Sequence, residues 1–162
     1  MKIWCPIQIR FRDLDPLSHV NNAVYFTYFE EARSNYFERL PHSQNQWQGE
    51  DMSDEVDENI APTMRIQLQG TSRRYGILIK EVTCTYNLPI IHTDTIEIGT
   101  EIVSIGRTSI IMEHQIRAVD DHSRIFATGR SVTVWCNYRT GRPSPVPPSL
   151  RAAFAEIEGR TF

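Results

Sequence analysis

Apolar and polar residues alternate at the start of the chain. Ile7, Ile9 and Phe11 interleave with Gln8, Arg10 and Arg12, the period of a half-buried strand. A first strand is therefore predicted over Ile3–Phe11, with Pro6 marking an edge position or a start after it. The period then changes. From about Asn22 to Leu40 the pattern predicts a helix, with Asn21 or Asn22 suited to its N-cap and Pro41 to its end. Its first half, Ala23 to Phe29, is apolar nearly all round, whereas Glu30, Glu31, Arg33, Glu38 and Arg39 fill the second half. A helix apolar on every side is enclosed, so the first half is expected to be wrapped by sheet. Residues 42–63 carry Glu50, Asp51, Asp54, Glu55, Asp57 and Glu58 with no Lys or Arg, and read as an acidic, solvated loop insertion. Beyond it the alternation of a β region returns. Strands are predicted over Met64–Gln69, Ile77–Tyr86, Thr95–Ile105, Ser109–Ala118 and Arg124–Tyr138. The last four follow one another closely enough to suggest an antiparallel meander, with a hairpin turn at Ile105–Ser109. The proline-rich stretch 143–148 leads into a short helix, Ser149–Ile157. The sum is an α+β domain: one long helix held by a curved antiparallel sheet.

A length of 162 residues suits a single domain, 1–162. The composition, 40% hydrophobic and 23% charged, is that of an ordinary globular protein. A net charge of −3 gives no support for nucleic-acid binding. Lys2 and Lys80 are the only lysines; a cation count dominated by Arg leaves room for an anionic small ligand. Cys5, Cys84 and Cys136 are far apart, form no CxxC pair and lack zinc-site spacing. An odd number of thiols without a secretory segment points to a reducing, cytoplasmic setting. No apolar run reaches the length of a membrane span.

The chemistry concentrates at the joint between the first strand and the helix. Asp13, Asp15, His19, Asn21 and Asn22 fall within ten residues. A turn feeding a helix N-terminus offers free N–H groups and a positive field, which suits both an ionised carboxylate and a developing oxyanion. Asp13, Asp15 and His19 are also fair metal ligands, but no fourth ligand is evident and no metal is expected.

This segment resembles the signature of the 4-hydroxybenzoyl-CoA thioesterase family of hotdog-fold proteins, Asp-x-Asp-x-x-Gly-His-Val-Asn-Asn, then spaced tyrosines and Glu-x-Ala-Arg. The chain reads Asp13-x-Asp15, His19-Val20-Asn21-Asn22, Tyr25, Tyr28, then Glu30-Glu31-Ala32-Arg33. Lys80 to Pro89, ending in Tyr86-x-x-Pro89, is similar to a family strand, as are the runs Asp94–Ile98 and Gly106–Ser109. Two departures stand out: Ser18 where the family has Gly, and the length of the 42–63 insert.

The resemblance implies an acyl-CoA thioesterase of hotdog fold that needs no cofactor. It places the catalytic carboxylate at Asp15, as nucleophile or as general base on water. Asp13 is expected to order the loop through backbone hydrogen bonds. His19 is read as positioning water, donating to the thioester oxygen or tuning Asp15, or as a satisfied polar residue at the helix start. Asn22 offers an N–H to the substrate or a helix cap. Tyr25 and Tyr28 line the acyl pocket or belong to the core. The oxyanion amide is sought at the helix start or in the Arg74-Tyr75-Gly76 stretch, where Gly76 permits close approach. Arg107 with Thr108 and Ser109 is the first choice for the CoA phosphates, ahead of Arg73, Arg74 and Arg142. Family members pair as dimers, often then as tetramers, with the site at the dimer interface, so a homodimer or homotetramer is expected. Two other readings share the fold: hydrolysis of an acyl group on a carrier protein, and a non-catalytic acyl-binding or assembly protein.

Overall fold

The computed structural model describes residues 1–40, 75–138 and 140–162. The acidic insert, the predicted strand Met64–Gln69, and Arg73 and Arg74 lie outside the described residues. The described chain folds as β1 (Ile3–Ile7), a single 3-10 turn (Phe11–Asp13), α1 (Val24–Glu38), β2 (Tyr75–Tyr86), β3 (Ile96–Ile105), β4 (Ser109–Ala118), β5 (Ile125–Asn137), β6 (Arg142–Pro143) and α2 (Pro148–Glu158).

The strands form one antiparallel sheet in the order β1-β3-β4-β5-β2, with the short β6 also pairing β5. Strands β3, β4 and β5 are the meander that the spacing predicts. The fourth member is placed differently. Strand β2 lies beyond β5, paired with it from Tyr75↔Asn137 to Tyr86↔Ala127, and not beside β3. Periodicity reports which strands exist, whereas their order depends on pairings distant in sequence. Among the described residues strand β1 is an edge, paired only with β3, which accommodates Pro6. It also ends at Ile7 instead of Phe11: the chain leaves the sheet to make the 3-10 turn, and Phe11 is 84% exposed.

Helix α1 buries one face. Tyr25, Tyr28, Phe29, Ala32, Arg33 and Tyr36 recur three and four residues apart and face the sheet. Phe26 and Thr27 are exposed, so the expected all-round enclosure is corrected to one-sided packing. The apolar residues on the outer side are too few to cover it.

Two hydrophobic clusters result. One gathers Tyr25, Phe29, Ile98, Ile116 and Phe126 at one end of the sheet; the other gathers Tyr36, Ile102, Met112, Trp135 and Phe154 at the end covered by α2. The α2 docking is fixed by Glu158, 2% exposed, whose Oε1 accepts from the Tyr36 hydroxyl (2.5 Å) and from the Ile102 N–H (2.7 Å).

Between the clusters, under α1, lies a polar seam. His114 is fully buried, stacks on Phe29 with ring centroids 5.0 Å apart, and bonds through its two nitrogens to Thr100 and Ser131. Gly129 makes the stack possible, because a Cβ there would sit 2.4 Å from the Phe29 ring. Burial, aided by the nearby Arg33 guanidinium, lowers the His114 pKa from 6.5 to about 3. The unfolded chain takes up this proton near pH 6.5 and the folded chain only near pH 3. The contribution to stability is therefore complete above pH 6.5 and is lost as pH falls through that window, by up to about 1.4 kcal/mol per pH unit. Denaturant titrations of the wild type and of His114→Gln should show a steeper acid loss in the wild type between pH 6 and 4. Parallel slopes would exclude His114 as the cause.

Candidate functional site

The joint between β1 and α1 is a nested ladder. The Asn21 N–H donates to the Asp13 carbonyl (2.8 Å), Leu14 and Val20 form an antiparallel bridge, and the Asp15 N–H donates to the His19 carbonyl (2.8 Å). At the tip the Ser18 N–H donates to the Asp15 carbonyl (2.9 Å) and closes a turn whose second residue is Pro16. Ser18 adopts φ 62°, left-handed backbone that suits glycine. The sequence departs from the family signature at the residue where that signature has Gly, and the turn keeps the glycine conformation regardless.

Asp13 anchors this ladder. It is buried, and its Oδ2 accepts from the Tyr28 hydroxyl (2.8 Å) and from the Arg10 N–H (2.9 Å). The ordering role expected for Asp13 is the one it has, and these bonds draw its carboxylate toward the core. Tyr28 is 2% exposed and belongs to that core. Burial first, then the Asp13 bond, raises the Tyr28 pKa, so the hydroxyl remains a donor.

Asp15 is held by one oxygen. Its Oδ1 accepts from the Leu17 N–H (2.8 Å) and from the His19 N–H (3.3 Å). Its Oδ2 has no hydrogen-bond partner among the described residues. The sequence leaves open whether this side chain caps the turn or faces a ligand; the geometry gives one oxygen to the turn and leaves the other unbonded among the described residues.

Asp15, His19 and Asn22 line one side of a cleft of about 350 Å³, and Tyr86, Asn87, Leu88 and Pro89 line the other. Val20 and Tyr25 form its inner wall, and Tyr25, 3% exposed, meets the Tyr86 ring edge-on at 4.9 Å. Burial raises the Tyr25 pKa. The two walls are tied together, because the Val20 N–H donates to the Ile90 carbonyl (2.8 Å) and His19 bridges Ile91. The His19 imidazole makes no hydrogen bond among the described residues.

Among the described residues, the start of α1 leaves an undonated N–H on Asn22, a residue that lines this cleft. Asn21 Oδ1 accepts the Ala23 N–H (2.9 Å) and the Asn21 carbonyl accepts the Val24 N–H (2.9 Å). The N-cap is Ala23, which makes no side-chain cap bond, so the cap expected at Asn21 or Asn22 is corrected: Asn21 instead satisfies the Ala23 and Val24 N–H groups from the turn before the helix. The Asn22 N–H donates to no group among the described residues, at a helix terminus whose field favours negative charge. The Tyr86 hydroxyl donates to the Asn22 carbonyl (3.0 Å). Tyr86 is a site residue that sequence reasoning uses only as part of a motif; its Tyr86-x-x-Pro89 spacing is the available signal.

Gly76, Arg107, Thr108 and Ser109 are not brought to this corner within one chain. Gly76 lies ten residues before Tyr86 on β2, about 34 Å along an extended strand. The space left by its missing side chain is filled by Tyr138, whose hydroxyl oxygen would lie 2.0 Å from a Cβ. The expected close approach at Gly76 is therefore made by a protein ring. The 107–109 turn joins β3 to β4 at the same remote end, tied to Trp135 and Val146 through the Thr108 and Arg107 carbonyls (both 2.8 Å). Arg142 lies in β6, at that end as well.

Metal binding finds no support in the geometry. With the Asp13 Oδ2 occupied, no group of three or more His, Cys, Asp or Glu is placed to hold an ion among the described residues. A second groove, about 430 Å³, runs along the outer face of α1 past Glu30, Glu31 and Glu38 to Cys5. Burial and then Glu31 raise the Cys5 thiol, so it offers no ready nucleophile. Among the described residues no helix is long and apolar enough to cross a membrane.

The sequence profile of the thioesterase-like superfamily matches residues 9–154. Solved structures agree with it in fold. A thioesterase from Thermus thermophilus, crystallised with coenzyme A and zinc, is 30% identical over 98% of this chain and 96% of its own, with a TM-score of 0.71. A candidate thioesterase from Pseudomonas aeruginosa is 29% identical over 94% and 97%, with a TM-score of 0.69. A candidate acyl-CoA thioesterase from Xanthomonas campestris is 25% identical over 83% and 92%, with a TM-score of 0.60. No curated protein matches the chain.

The strain at Ser18 is directly testable. Ser18→Gly should leave melting temperature and activity level with or above the wild type. Ser18→Val, β-branched at positive φ, should lower stability by about 1–3 kcal/mol. Equal melting temperatures for the two variants would contradict the left-handed turn.

Proposed function

Because the chain belongs to the thioesterase-like superfamily, a family of thioester hydrolases on the hotdog fold, we propose that it cleaves an acyl-CoA to a free carboxylic acid and CoA at the Asp15 cleft. One observation carries the proposal: Asp15, with an oxygen that makes no hydrogen bond among the described residues, and Asn22, with an N–H undonated among them, line the same cleft.

The leaving group needs little help, since a thiolate departs readily. The site must supply an attacking group and a place for the negative charge. Asp15 Oδ2 either attacks the thioester carbonyl or takes a proton from the water that does. Both routes pass through a tetrahedral oxyanion. The Asn22 N–H, at the positive end of α1, receives that charge. His19, with its imidazole free, orients the water or donates to the thioester oxygen. The acyl group rests against Tyr25 and beside Leu88, two of the apolar surfaces in the cleft. The coenzyme A bound in the Thermus thermophilus relative supports CoA as the thiol.

The separation of the two groups of predicted residues supports a site built from two copies. Strand β2 is an outer strand with one side unpaired among the described residues. Antiparallel pairing of two such strands about a two-fold axis sets the Gly76 end of one copy against the Tyr86 end of the other. Arg107, Thr108 and Ser109 would then reach the CoA phosphates from the partner's side of the interface. On this reading the protein is a homodimer or a dimer of dimers.

The test is thiol release from a panel of aryl, short-chain and long-chain acyl-CoAs. Asp15→Asn keeps an Oδ1 acceptor for the Leu17 N–H, so the turn persists and the charge is lost. Its kcat should fall about a thousandfold with little change in melting temperature. Unchanged turnover would remove Asp15 from the mechanism, and no thiol release from any substrate would favour an acyl-binding protein without catalysis. Dilution below the dimer dissociation constant should abolish turnover. A fully active monomer would contradict the shared site.

A further inference from the structure

Tyr86 makes contacts that hydrolysis at Asp15 does not by itself require. It ends β2, is 44% exposed, and lines the cleft. Its hydroxyl donates to the Asn22 carbonyl at 3.0 Å and its ring meets buried Tyr25 edge-on at 4.9 Å. A tyrosine this exposed contributes little to core packing, so its orientation rests on those two contacts and on the neighbouring Cys84 and Asn22 side chains.

The carbonyl it takes is one the helix leaves open. The Phe26 N–H donates to the Ala23 carbonyl (3.2 Å), three residues back, in the 3-10 pattern. An α-helical Phe26 N–H would reach the Asn22 carbonyl. The first turn is thus tightened, and Asn22 is held from outside the helix by a hydroxyl on the sheet edge. Residue 22 is flanked by fixed points on both sides: Asn21 through its N–H to Asp13, and the Asn22 carbonyl through Tyr86.

We propose that Tyr86 is a positioning residue for thioester hydrolysis, its hydroxyl fixing the Asn22 backbone so that the Asn22 N–H stays directed at the developing oxyanion. The inference rests on the hydrolase reading above and deepens it. Tyr86 touches neither the attacking oxygen nor the oxyanion; it holds the Asn22–Ala23 peptide, which adjoins the Asn21–Asn22 peptide that carries the Asn22 N–H. Because preorganised donors lower the barrier only when aligned with charge that appears in the transition state, the clamp acts on kcat more than on KM. Partial burial, with Cys84 alongside, raises the Tyr86 pKa, so the hydroxyl stays a donor.

The experiment compares the wild type with Tyr86→Phe, which keeps the ring and deletes the hydroxyl, using the best acyl-CoA from the panel. The expected result is a fall in kcat of about tenfold, with KM within about twofold and the pH limbs unmoved. Melting temperature should hold, and amide exchange at Ala23, whose N–H is bonded to Asn21 Oδ1 and shares the peptide of the Asn22 carbonyl, should quicken. A wild-type kcat in Tyr86→Phe overturns the clamp while leaving hydrolysis intact. A lower kcat with no change in exchange at Ala23 also overturns it, since the loss would then arise elsewhere. If the wild type itself releases no thiol, the hydrolase reading fails and the clamp falls with it.

Discussion

The Tyr28–Asp13 hydrogen bond is the contact from which the rest of the site is built. Tyr28 stands on the buried face of α1, and Asp13 stands at the end of the segment that leaves β1. Their bond joins the helix to that segment, and the Asp13 carbonyl then accepts the Asn21 N–H. Every later rung follows from this closure: the Leu14–Val20 bridge, the Asp15–His19 bond and the Ser18 turn. A buried carboxylate that accepts two donors is costly to remove, which makes the loop a rigid extension of the core instead of a mobile connection.

That rigidity gives the cleft its chemistry. Among the described residues, the same turn that consumes Asp15 Oδ1 leaves Oδ2 unbonded, and the same two bonds to Asn21 that satisfy Ala23 and Val24 leave the Asn22 N–H undonated. The free acceptor and the free donor are remainders of two local hydrogen-bond arrangements, placed on one cleft. Neither has to be reorganised when a thioester arrives, and fixed dipoles aimed at developing charge are the efficient form of transition-state stabilisation.

Much of this is legible in the sequence, and for identifiable reasons. The alternation in Ser109–Ala118 matches the observed bounds of β4, and the apolar period places α1 within two residues at each end. The Asp13–Asn22 run announces the site because its chemistry is local: turn, cap and ladder are set by residues close in sequence. What fails is non-local. The strand order with β2 beyond β5 depends on pairings some fifty residues apart. Whether Gly76 and the 107–109 turn face Asp15 depends on the sheet's long axis, and one chain sets them at opposite ends. The enclosure of α1 is misjudged because Phe26 is apolar yet points away from the sheet. Tyr86 escapes notice because a single hydroxyl reaching a carbonyl 64 residues away leaves no periodic trace.

The proposed chemistry requires that substrate lie between Asp15 Oδ2 and the Asn22 amide. The most direct measurement is a crystal structure with an acyl-CoA analogue in which a methylene replaces the thioester sulfur. The expected result is the ketone carbon against Asp15 Oδ2 and its oxygen within hydrogen-bond distance of the Asn22 N–H, with Tyr86 still on the Asn22 carbonyl. An analogue bound with its ketone outside this cleft, or with its oxygen turned away from Asn22, would contradict it.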